Sequence, residues 1–347
     1  MLLCELEADT TNLSQHGNMN KLKRDEKKSH EFQFFSFESI ASVTNNFAST
    51  NKMGESGFGP VYKGKFQYGQ EIAVKRLAVG SGQGLVEFKN ELALIAKLQH
   101  TNLYMPNRSL DFFLFDPVKK NLLDWKKRLS IIEGIAEGLL YLHKYSRLTI
   151  IHRDLKASNI LLDDEMNPNI SDFGMARIFG RNESEAKTKR IVGTRGYMSP
   201  EYALKGIISM KADVFSFGVL LLEIISGMKN NSCCDSDLPL NLIGQAWQLW
   251  NDGRALDPLD SVFDEPSSHF GVQRFIHASL LCVQDHATDR PIMETVVSMI
   301  KNESIPLPAP KQPAFFVNTV GEEAEQLENK SQNVSINNVS ISIMEAR

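Results

Sequence analysis

The stretch IIHRDLKASNILL, residues 150–162, constrains the chain most, because it places a dense polar cluster between two apolar runs. Each apolar run has the length and composition of a short buried strand. The residues between them include a carboxylate at Asp154, an ammonium group at Lys156 and a side-chain amide at Asn159. Asp154 could accept a hydroxyl proton, Lys156 could lie near a transferring phosphate, and Asn159 offers an oxygen to a metal ion. An ordinary polar loop does not explain this combination.

A second carboxylate, Asp172, follows in the stretch ISDFG, residues 170–174. Its neighbours Ile170 and Phe173 give it an apolar setting, in which a metal ion would satisfy its charge. Oxygen ligands from Asp172 and Asn159 suit magnesium, which prefers hard oxygens and keeps waters that phosphate groups can replace. The two stretches together predict a magnesium site that includes both residues.

A glycine-rich turn, MGESGFGPVYKG, occupies residues 53–64. Glycines let backbone N–H groups approach phosphates closely, although a β-hairpin with a glycine turn explains this stretch equally well. The strand-like runs 61–66 and 71–77 follow, joined by the turn QYGQ. Lys75 in the second run could reach phosphates held under the loop, and Glu91 on the predicted next helix could pair with it.

Composition narrows the class of protein. The chain has 347 residues, of which 42% are apolar and 23% are charged, as in ordinary globular proteins. The net charge of −4 gives no reason to expect nucleic-acid binding, and the four cysteines, which lack metal-ligand spacing, fit a reduced compartment. We expect no export signal at the start of the chain. The longest apolar run, residues 214–225, contains Glu223 and is too short for a membrane span, so it predicts a buried helix.

The pattern of apolar residues divides the chain into an arm, a folded domain and a tail. The arm is polar and basic and is expected to be solvated, whereas the tail lacks apolar periodicity and is predicted to be disordered. The arm is residues 1–33, the signals become mainly helical from residue 109, and the tail is residues 302–347.

Together, these stretches resemble the eukaryotic protein kinases. The resemblance rests on the glycine-rich turn, the strand lysine, the His-Arg-Asp cluster, Asp-Phe-Gly and Ser-Pro-Glu at 199–201, and it covers roughly residues 48–301. More narrowly, GTRGYMSPEYA and DVFSFGVLLLEIISG are similar to the cytoplasmic domains of plant receptor-like serine/threonine kinases. PKQPAFF and the final SISIMEAR are similar to the S-locus and related lectin-type members, and the cysteine-rich receptor-like kinases belong to the same group.

The resemblance implies an α+β fold of two lobes over residues 48–301, with a small β-rich lobe at 48–103, a hinge at 104–108 and a large helical lobe at 109–301. It implies an ATP-dependent serine/threonine protein kinase with ATP and Mg²⁺ as cofactors. The implied partners are protein substrates with Ser or Thr, and a second copy of the chain for trans-autophosphorylation, but no nucleic acid. The implied location is the cytoplasm, at the inner face of the plasma membrane if the chain is part of a receptor.

The resemblance also assigns roles to individual residues. Asp154, Lys156 and Lys75 are the implied catalytic residues, and Asn159 and Asp172 are the implied metal ligands. Residues at the glycine-rich turn, the neighbouring strands, the hinge and the large lobe are implied to bind the nucleotide. These residues are Met53, Gly54, Glu55, Ser56, Gly57, Phe58, Gly59, Val61, Ala73, Lys75, Met105 and Leu161. Ser56 stands where the family usually has glycine, and its Cβ would crowd the phosphates.

Six further residues have implied supporting roles. Glu91 pairs with Lys75, and Arg153 would receive a phosphate placed on Thr188 or a neighbour. Thr194, together with the lysine of the polar cluster, is typical of the serine/threonine class. The other three brace the large lobe: Asp213 holds the backbone of the catalytic loop, and Glu201 forms an ion pair with Arg290.

One segment departs from the resemblance. Family members place two strands between the helix that carries Glu91 and the hinge, and these strands with their turn need roughly 16 residues. In LQHTNLYMPNRSL, residues 98–110, a stretch that resembles the helix-to-strand loop meets the hinge-like YMPN directly. We therefore expect a small lobe of three strands with a bare edge. A catalytically impaired scaffold is the alternative function, and a misassigned exon boundary explains the gap equally well.

Overall fold

The computed structural model describes residues 2–3, 35–56, 59–76, 108–180, 183–230, 241–254 and 266–314. The chain divides into two compact units, Met1–Met105 and Pro106–Arg347. Several predictions lie outside the described residues: the helix with Glu91, the hinge with Met105, the turn residues Gly57 and Phe58, and the junction where the two strands are expected to be missing.

The first unit contains a four-stranded sheet in the order β1-β4-β3-β2. Gly69 closes the turn between β3 and β4 with a φ of 88°, a left-handed conformation that glycine adopts without steric cost. The predicted turn QYGQ is therefore confirmed. β2, β3 and β4 are antiparallel, whereas β1 pairs with β4 in parallel. The strands are β1 Leu2–Leu3, β2 Lys52–Ser56, β3 Gly59–Lys65 and β4 Glu71–Lys75.

Within the described part of residues 48–108, the chain contributes the three strands β2, β3 and β4. The segment in which two strands are expected to be missing lies outside the described residues, so that expectation stays a prediction. The fourth strand comes from the segment that was expected to be a solvated arm. That expectation is wrong for Leu2 and Leu3, which pair with Ala73 and Val74. An unpaired sheet edge presents free N–H and C=O groups, so even a short apolar segment gains hydrogen bonds by joining it.

A helix packs against this sheet. Helix α1, Phe37–Val43, begins at Ser36, whose side chain accepts a hydrogen bond from the backbone N–H of Ser39 at 3.2 Å. It ends at Thr44, whose hydroxyl donates to the carbonyl of Ile40 at 2.8 Å. The side chain of Ile40 enters a small core, formed with Phe66, Ile72 and Val74.

The second unit is mainly helical, as predicted. Short antiparallel strand pairs lie among the helices: β5 with β8, β6 with β7, and β9 with β10. The strands are β5 Thr149–Ile151, β6 Ile160–Leu162, β7 Pro168–Ile170, β8 Arg177–Phe179, β9 Glu185–Lys187 and β10 Ile207–Ser209. The described helices are α2 Leu110–Leu114, α3 Trp125–Leu140, α4 Pro200–Lys205, α5 Met210–Ser226, α6 Leu242–Asn251, α7 Pro266–Cys282 and α8 Met293–Lys301.

Helix α5 forms the centre of the second unit. Every residue from 212 to 226 is buried, which confirms the buried helix predicted from the long apolar run. Arg128 of α3 is fully buried beside the C-terminal end of α5, and its guanidinium donates to the carbonyl of Ile224 at 2.9 Å. This contact satisfies a helix-end carbonyl that has no partner within α5. Among the described helices, none combines the length and the apolar character that crossing a bilayer requires.

The start of the tail is ordered. The sequence predicts disorder from residue 302 onwards, and this is wrong for residues 302–314. Their backbone is hydrogen-bonded to α7 and to the residues that follow it, and Ala314 is only 1% exposed. Apolar periodicity misses this segment because the contacts are made through its backbone.

Candidate active site

A single buried carboxylate fixes the polar loop between β5 and β6. Asp213, at the start of α5, accepts hydrogen bonds from the backbone N–H groups of His152 at 2.7 Å and Arg153 at 2.9 Å. Its Oδ2 also lies 3.1 Å from His143 Nε2. Burial alone would raise the pKa of Asp213, but the hydrogen bond and the charge of His143 hold that pKa below its ordinary value. The loop is thus held to the buried helix α5.

Asp154 lies at the centre of the loop, 5% exposed, among three side chains that the sequence also singles out. Thr194 Oγ1 donates to Asp154 Oδ1 at 2.7 Å. Lys156 Nζ lies 3.1 Å from Asp154 Oδ2 and donates to Thr194 Oγ1 at 2.8 Å. Asn159 Nδ2 donates to Asp154 Oδ2 at 3.1 Å. These contacts hold the carboxylate in one orientation and place an ammonium group beside it.

The ring of His152 connects this loop to the Asp-Phe-Gly segment. His152 Nε2 lies 2.9 Å from the carbonyl of Ser171, and His152 Nδ1 accepts from the backbone N–H of Asp154 at 3.3 Å. A carbonyl can only accept, so the ring hydrogen is on Nε2. The ring of Phe173 packs edge-on against His152 with centroids 5.2 Å apart.

The two predicted metal ligands are brought together by backbone contacts. Ser171 donates to the carbonyl of Asn159 through its N–H at 2.8 Å and its hydroxyl at 2.9 Å, which places Asp172 next to Asn159. Asp172 has a φ of 61°, a strained value for a residue other than glycine. The amide nitrogen of Asn159 donates to the carbonyl of Asp154 at 2.8 Å, so its oxygen Oδ1 points away from that residue.

Asn159 and Asp172 together fit a magnesium site, in which phosphates and waters complete the coordination, better than a site whose ligands all come from the protein. Within the described ranges, no group of three or more His, Cys, Asp or Glu side chains could hold a metal ion. Asn159 and Asp172 offer one amide oxygen and one carboxylate. Magnesium is commonly bound by one or two such ligands, with phosphates and waters in the remaining positions.

Arg153 is partly satisfied and lies close to Thr188. Its guanidinium donates to the carbonyl of Met175 at 3.0 Å, the hydroxyl of Tyr202 at 2.7 Å and the carbonyl of Arg190 at 3.4 Å. Its Nε is buried without a hydrogen-bond partner. Thr188 Oγ1 donates to the same carbonyl of Arg190 at 3.1 Å. The guanidinium of Arg153 and the hydroxyl of Thr188 therefore converge on one oxygen.

Glu201 and Arg290 form the ion pair that the resemblance implies. The two carboxylate oxygens of Glu201 each lie 2.8 Å from a guanidinium nitrogen of Arg290, so the pair is bidentate. Burial opposes ionisation of Glu201, but the hydrogen bonds and the charge of Arg290 hold its pKa below the ordinary value. Ser199 also donates to Glu201 at 2.7 Å. This ion pair thus attaches the start of α4, which follows Thr188 in the chain, to the loop between α7 and α8.

Sequence reasoning missed a buried cluster that ties residues 196–197 to α5. Tyr197 donates its hydroxyl to Glu223 Oε2 at 2.6 Å, and the backbone N–H of Asn230 donates to Glu223 Oε1 at 2.9 Å. The side chain of Asn230 donates to the carbonyl of Gly196 at 3.0 Å, and Ser216 donates to the carbonyl of Tyr197 at 2.7 Å. The only sequence signal was a lone carboxylate within an apolar helix.

The pKa of Glu223 is raised from 4.5 to about 7. Burial raises it, and the hydrogen bonds from Tyr197 and Asn230 with the nearby charge of Lys229 only partly offset that effect, while Asp111 adds to it. The folded protein therefore holds this proton more tightly than the unfolded chain does. The contribution to stability is complete below pH 4.5 and is lost as the pH rises through about 7.

We expect this loss to amount to about 3 kcal/mol. The Glu223→Gln variant cannot bind this proton, so its free energy of unfolding should lack this pH-dependent contribution. The difference in free energy of unfolding between the unmodified chain and the variant should therefore change between about pH 5 and about pH 8. Denaturant titrations across that range measure it. Tyr197→Phe is the matched control, because losing a hydrogen bond that lowers the pKa should move the transition to higher pH. Parallel pH profiles for all three proteins would contradict the prediction.

In the first unit, Lys75 is 4% exposed and lies on β4, paired in register with Val61 of β3. Gly59 begins β3 and pairs with Ser56 at the end of β2. Three of the other predicted nucleotide-binding residues lie on β2, one lies on β4, and one lies on β6 of the second unit. These residues are Met53, Gly54 and Glu55; Ala73; and Leu161.

Comparison with known proteins identifies the class. Residues 47–234, more than half of the chain, match the protein kinase domain family, so the chain belongs to the protein kinases. The α+β fold and the resemblance predicted from the motifs are thereby confirmed. Residues 302–347 match a domain of unknown function, DUF3403.

The chain is similar to plant receptor-like kinases of two groups. It is 56% identical over 341 residues to the G-type lectin S-receptor-like serine/threonine-protein kinase CES101 of Arabidopsis thaliana, covering 92% of this chain and 40% of the relative. It is 50% identical over 332 residues to the cysteine-rich receptor-like protein kinase 10 of the same plant, covering 90% of this chain and 50% of that relative. The chain thus spans about half or less of the length of these relatives.

A third relative aligns over more positions than the chain has residues. The alignment with the G-type lectin S-receptor-like serine/threonine-protein kinase At1g11330 of Arabidopsis thaliana, at 50% identity, extends over 365 positions and covers 100% of this chain and 42% of the relative. The chain has 347 residues, so at least 18 positions, 365 against 347, have no residue in this chain. The comparison gives this number without the place of these positions in the chain, so the predicted gap at residues 98–110 stays a prediction.

Proposed function

We propose that this chain transfers the γ-phosphate of ATP to serine or threonine hydroxyls of protein substrates. The observation that carries the proposal is the buried carboxylate of Asp154, held by Thr194 and flanked by Lys156 at 3.1 Å. A hydroxyl within hydrogen-bonding distance of Asp154 would be oriented and would lose its proton to it. Lys156 lies beside Asp154, so its ammonium group would stabilise the negative charge of the phosphoryl group during its transfer from ATP to this hydroxyl.

Asn159 and Asp172 would hold a magnesium ion, and a bound magnesium ion offsets the negative charge of the nucleotide phosphates. The protein itself contributes by holding the base and the two proposed metal ligands in fixed positions. Asn159 donates to Asp154 and receives the contacts of Ser171, so the base and both ligands belong to one hydrogen-bonded network. Such fixed geometry supplies much of the acceleration in phosphoryl transfer.

In the first unit, we propose that Lys75 contacts the nucleotide phosphates and that Glu91 pairs with it. The remaining proposed nucleotide contacts are the glycine-rich turn, Met53–Gly59, with Val61 and Ala73 of the neighbouring strands. Met105 of the implied hinge and Leu161 of the second unit complete the proposed set. The buried position of Lys75 supports its role, because a strand lysine without a task is normally exposed. We place the missing positions at the junction of Leu103 and Tyr104.

The alternative, an impaired scaffold, has less support. The relatives that align along this chain are named as kinases, and Lys75, Asp154 and Asp172 are all present. Strand β4 pairs with β3 on one side and with β1 on the other. The sheet edge at β4, which was expected to be bare, is therefore covered by β1.

Relatives named as receptor-like kinases support a signalling role at the cytoplasmic face of the plasma membrane. Protein substrates and a second copy of the chain are the proposed partners. The net charge of −4 does not favour a nucleic-acid partner.

Incubation of the purified chain with magnesium and ATP should place phosphate on Thr188 or a neighbouring residue. A phosphate there would offer oxygens to Arg153, whose Nε has no hydrogen-bond partner, and to the basic side chains of Lys187 and Lys189. Thr188→Ala should lower the rate toward a basic protein substrate about tenfold, which corresponds to the loss of about one charge-assisted contact.

Mass spectrometry of the peptide that contains Thr188, together with initial rates, tests this prediction. Ser184→Ala is the matched control, because it removes a hydroxyl from the same segment and should leave the rate unchanged. A chain that transfers no phosphate to itself or to a protein substrate would refute the proposed function. Phosphorylation without any effect of Thr188→Ala would refute only the role of Thr188 as the phosphate acceptor for Arg153.

A further inference from the structure

After helix α8, the chain turns and runs back along α7 as a proline-rich segment, residues 306–314, PLPAPKQPA. Arg274 of α7 fixes the turn. Its guanidinium donates to the carbonyls of Met299 at 2.7 Å, Asn302 at 2.7 Å and Ile305 at 2.8 Å. One side chain thus binds the end of the helix and both sides of the turn, and it directs the segment that follows.

The segment is held through its backbone at three places. His277 Nε2 donates to the carbonyl of Pro308 at 2.7 Å, and the N–H of Ala314 donates to the carbonyl of Val283 at 3.1 Å. Lys311, between them, is bound through both its N–H and its carbonyl. The bound residues are three apart, which is the spacing of residues on one face of a polyproline II helix.

The central contact is a clamp formed by Gln284, which is 2% exposed. Its Oε1 accepts from the N–H of Lys311 at 2.9 Å, and its Nε2 donates to the carbonyl of Lys311 at 2.9 Å. The same Nε2 donates to the carbonyl of Leu280 at 2.6 Å. The amide therefore pairs with Lys311 as a neighbouring strand would. We call the surface formed by His277, Val283 and Gln284 the groove, because these three residues bind the backbone of the segment. Contacts to the backbone place little demand on the side chains of the bound segment, and prolines reduce the entropy lost on binding.

The same residue also holds Arg290. The backbone carbonyl of Gln284 accepts from Arg290 Nε at 2.7 Å, and Arg290 binds Glu201 through two contacts of 2.8 Å. Gln284 thus binds the tail with its side chain and the ion pair with its backbone. Displacement of the tail would leave the buried Oε1 of Gln284 without the N–H of Lys311, while Nε2 would keep only its contact with Leu280, so the loop that carries Gln284 would have to rearrange.

We propose that residues 306–314 are an internal ligand of this groove and that their binding keeps Arg290 in position to hold Glu201. The occupant is the chain's own tail, because the segment leaves α8 through the turn made by Arg274 and reaches the clamp directly. The proposal concerns the arrangement of the large unit and does not depend on phosphoryl transfer.

Lys311→Pro in the full chain tests the proposal, because it removes the N–H that donates to Gln284 Oε1 and leaves the groove unchanged. Lys311→Ala is the matched control, because it keeps that N–H and removes only the exposed ion pair with Asp289 at 2.7 Å. Hydrogen exchange followed by mass spectrometry should show about tenfold faster exchange for Ala314 and for residues 283–290 in Lys311→Pro. Lys311→Ala should behave as the unmodified chain.

Three outcomes would overturn the proposal. Equal exchange in both variants would show that the clamp does not hold the tail. Faster exchange at Ala314 without any change at residues 283–290 would show that the tail binds but does not support Arg290. Sedimentation should show a monomer, and a dimer that dissociates in Lys311→Pro would show that the groove takes the tail of a second copy.

Discussion

Asp154→Asn should lower the rate of phosphoryl transfer about a thousandfold or more while leaving the fold intact. The amide has the size of the carboxylate but cannot accept the proton of a substrate hydroxyl. Its oxygen can face Lys156 and Asn159, and its nitrogen can donate to the hydroxyl of Thr194, which also accepts. Residue 154 can therefore keep a contact with each of Thr194, Asn159 and Lys156 in the variant.

Initial rates with a generic basic protein and thermal melts of the same preparations measure this effect. Asp116→Asn is the matched control, since it makes the same change in an exposed turn after α2, where the side chain accepts from backbone N–H groups. It should leave the rate unchanged. Retained activity in Asp154→Asn, with an unchanged melting temperature, would remove Asp154 from the proposed role.

The parts of the fold that the sequence predicts have local signals. Helix α5 follows from the long apolar run at residues 214–225, and the loop with Asp154 follows from polar residues between two apolar runs. The turn at Gly69 follows from the residue types that a tight turn needs. In each case the residues that carry the signal are neighbours in the chain, so no knowledge of the tertiary structure is required.

The missed parts depend on pairs that are distant in sequence. Glu223 meets Tyr197 only after the segment with Thr188 folds onto α5. Gln284 meets Lys311 only after α8 and the turn at Arg274 bring the tail back. Residues of these types are common, and their role follows from the partner rather than from the pattern around them. The pairing of Leu2 and Leu3 with β4 is of the same kind.

Replacing Arg290 with methionine should lower the free energy of unfolding by about 3–5 kcal/mol, the usual cost of removing one partner of a buried ion pair. Arg290 is 1% exposed, and each N–H of its guanidinium has an acceptor. The acceptors are the two carboxylate oxygens of Glu201 and the carbonyls of Gln284, Lys211 and Asp285. Methionine fills a similar volume but satisfies none of them.

A double-mutant cycle separates the cost of the orphaned carboxylate from the other losses. In the Arg290→Met variant, Glu201 is left ionised and without its partner, which lowers stability. The double variant with Arg290→Met and Glu201→Met removes this carboxylate, so it should be more stable than the variant with Arg290→Met alone. Arg290→Lys keeps the charge but lacks the planar fork, so its stability should fall between those of Arg290→Met and the unmodified chain. Denaturant unfolding of the four proteins of the cycle and of Arg290→Lys measures these differences. If the double variant were no more stable than Arg290→Met, the backbone carbonyls rather than Glu201 would account for the loss.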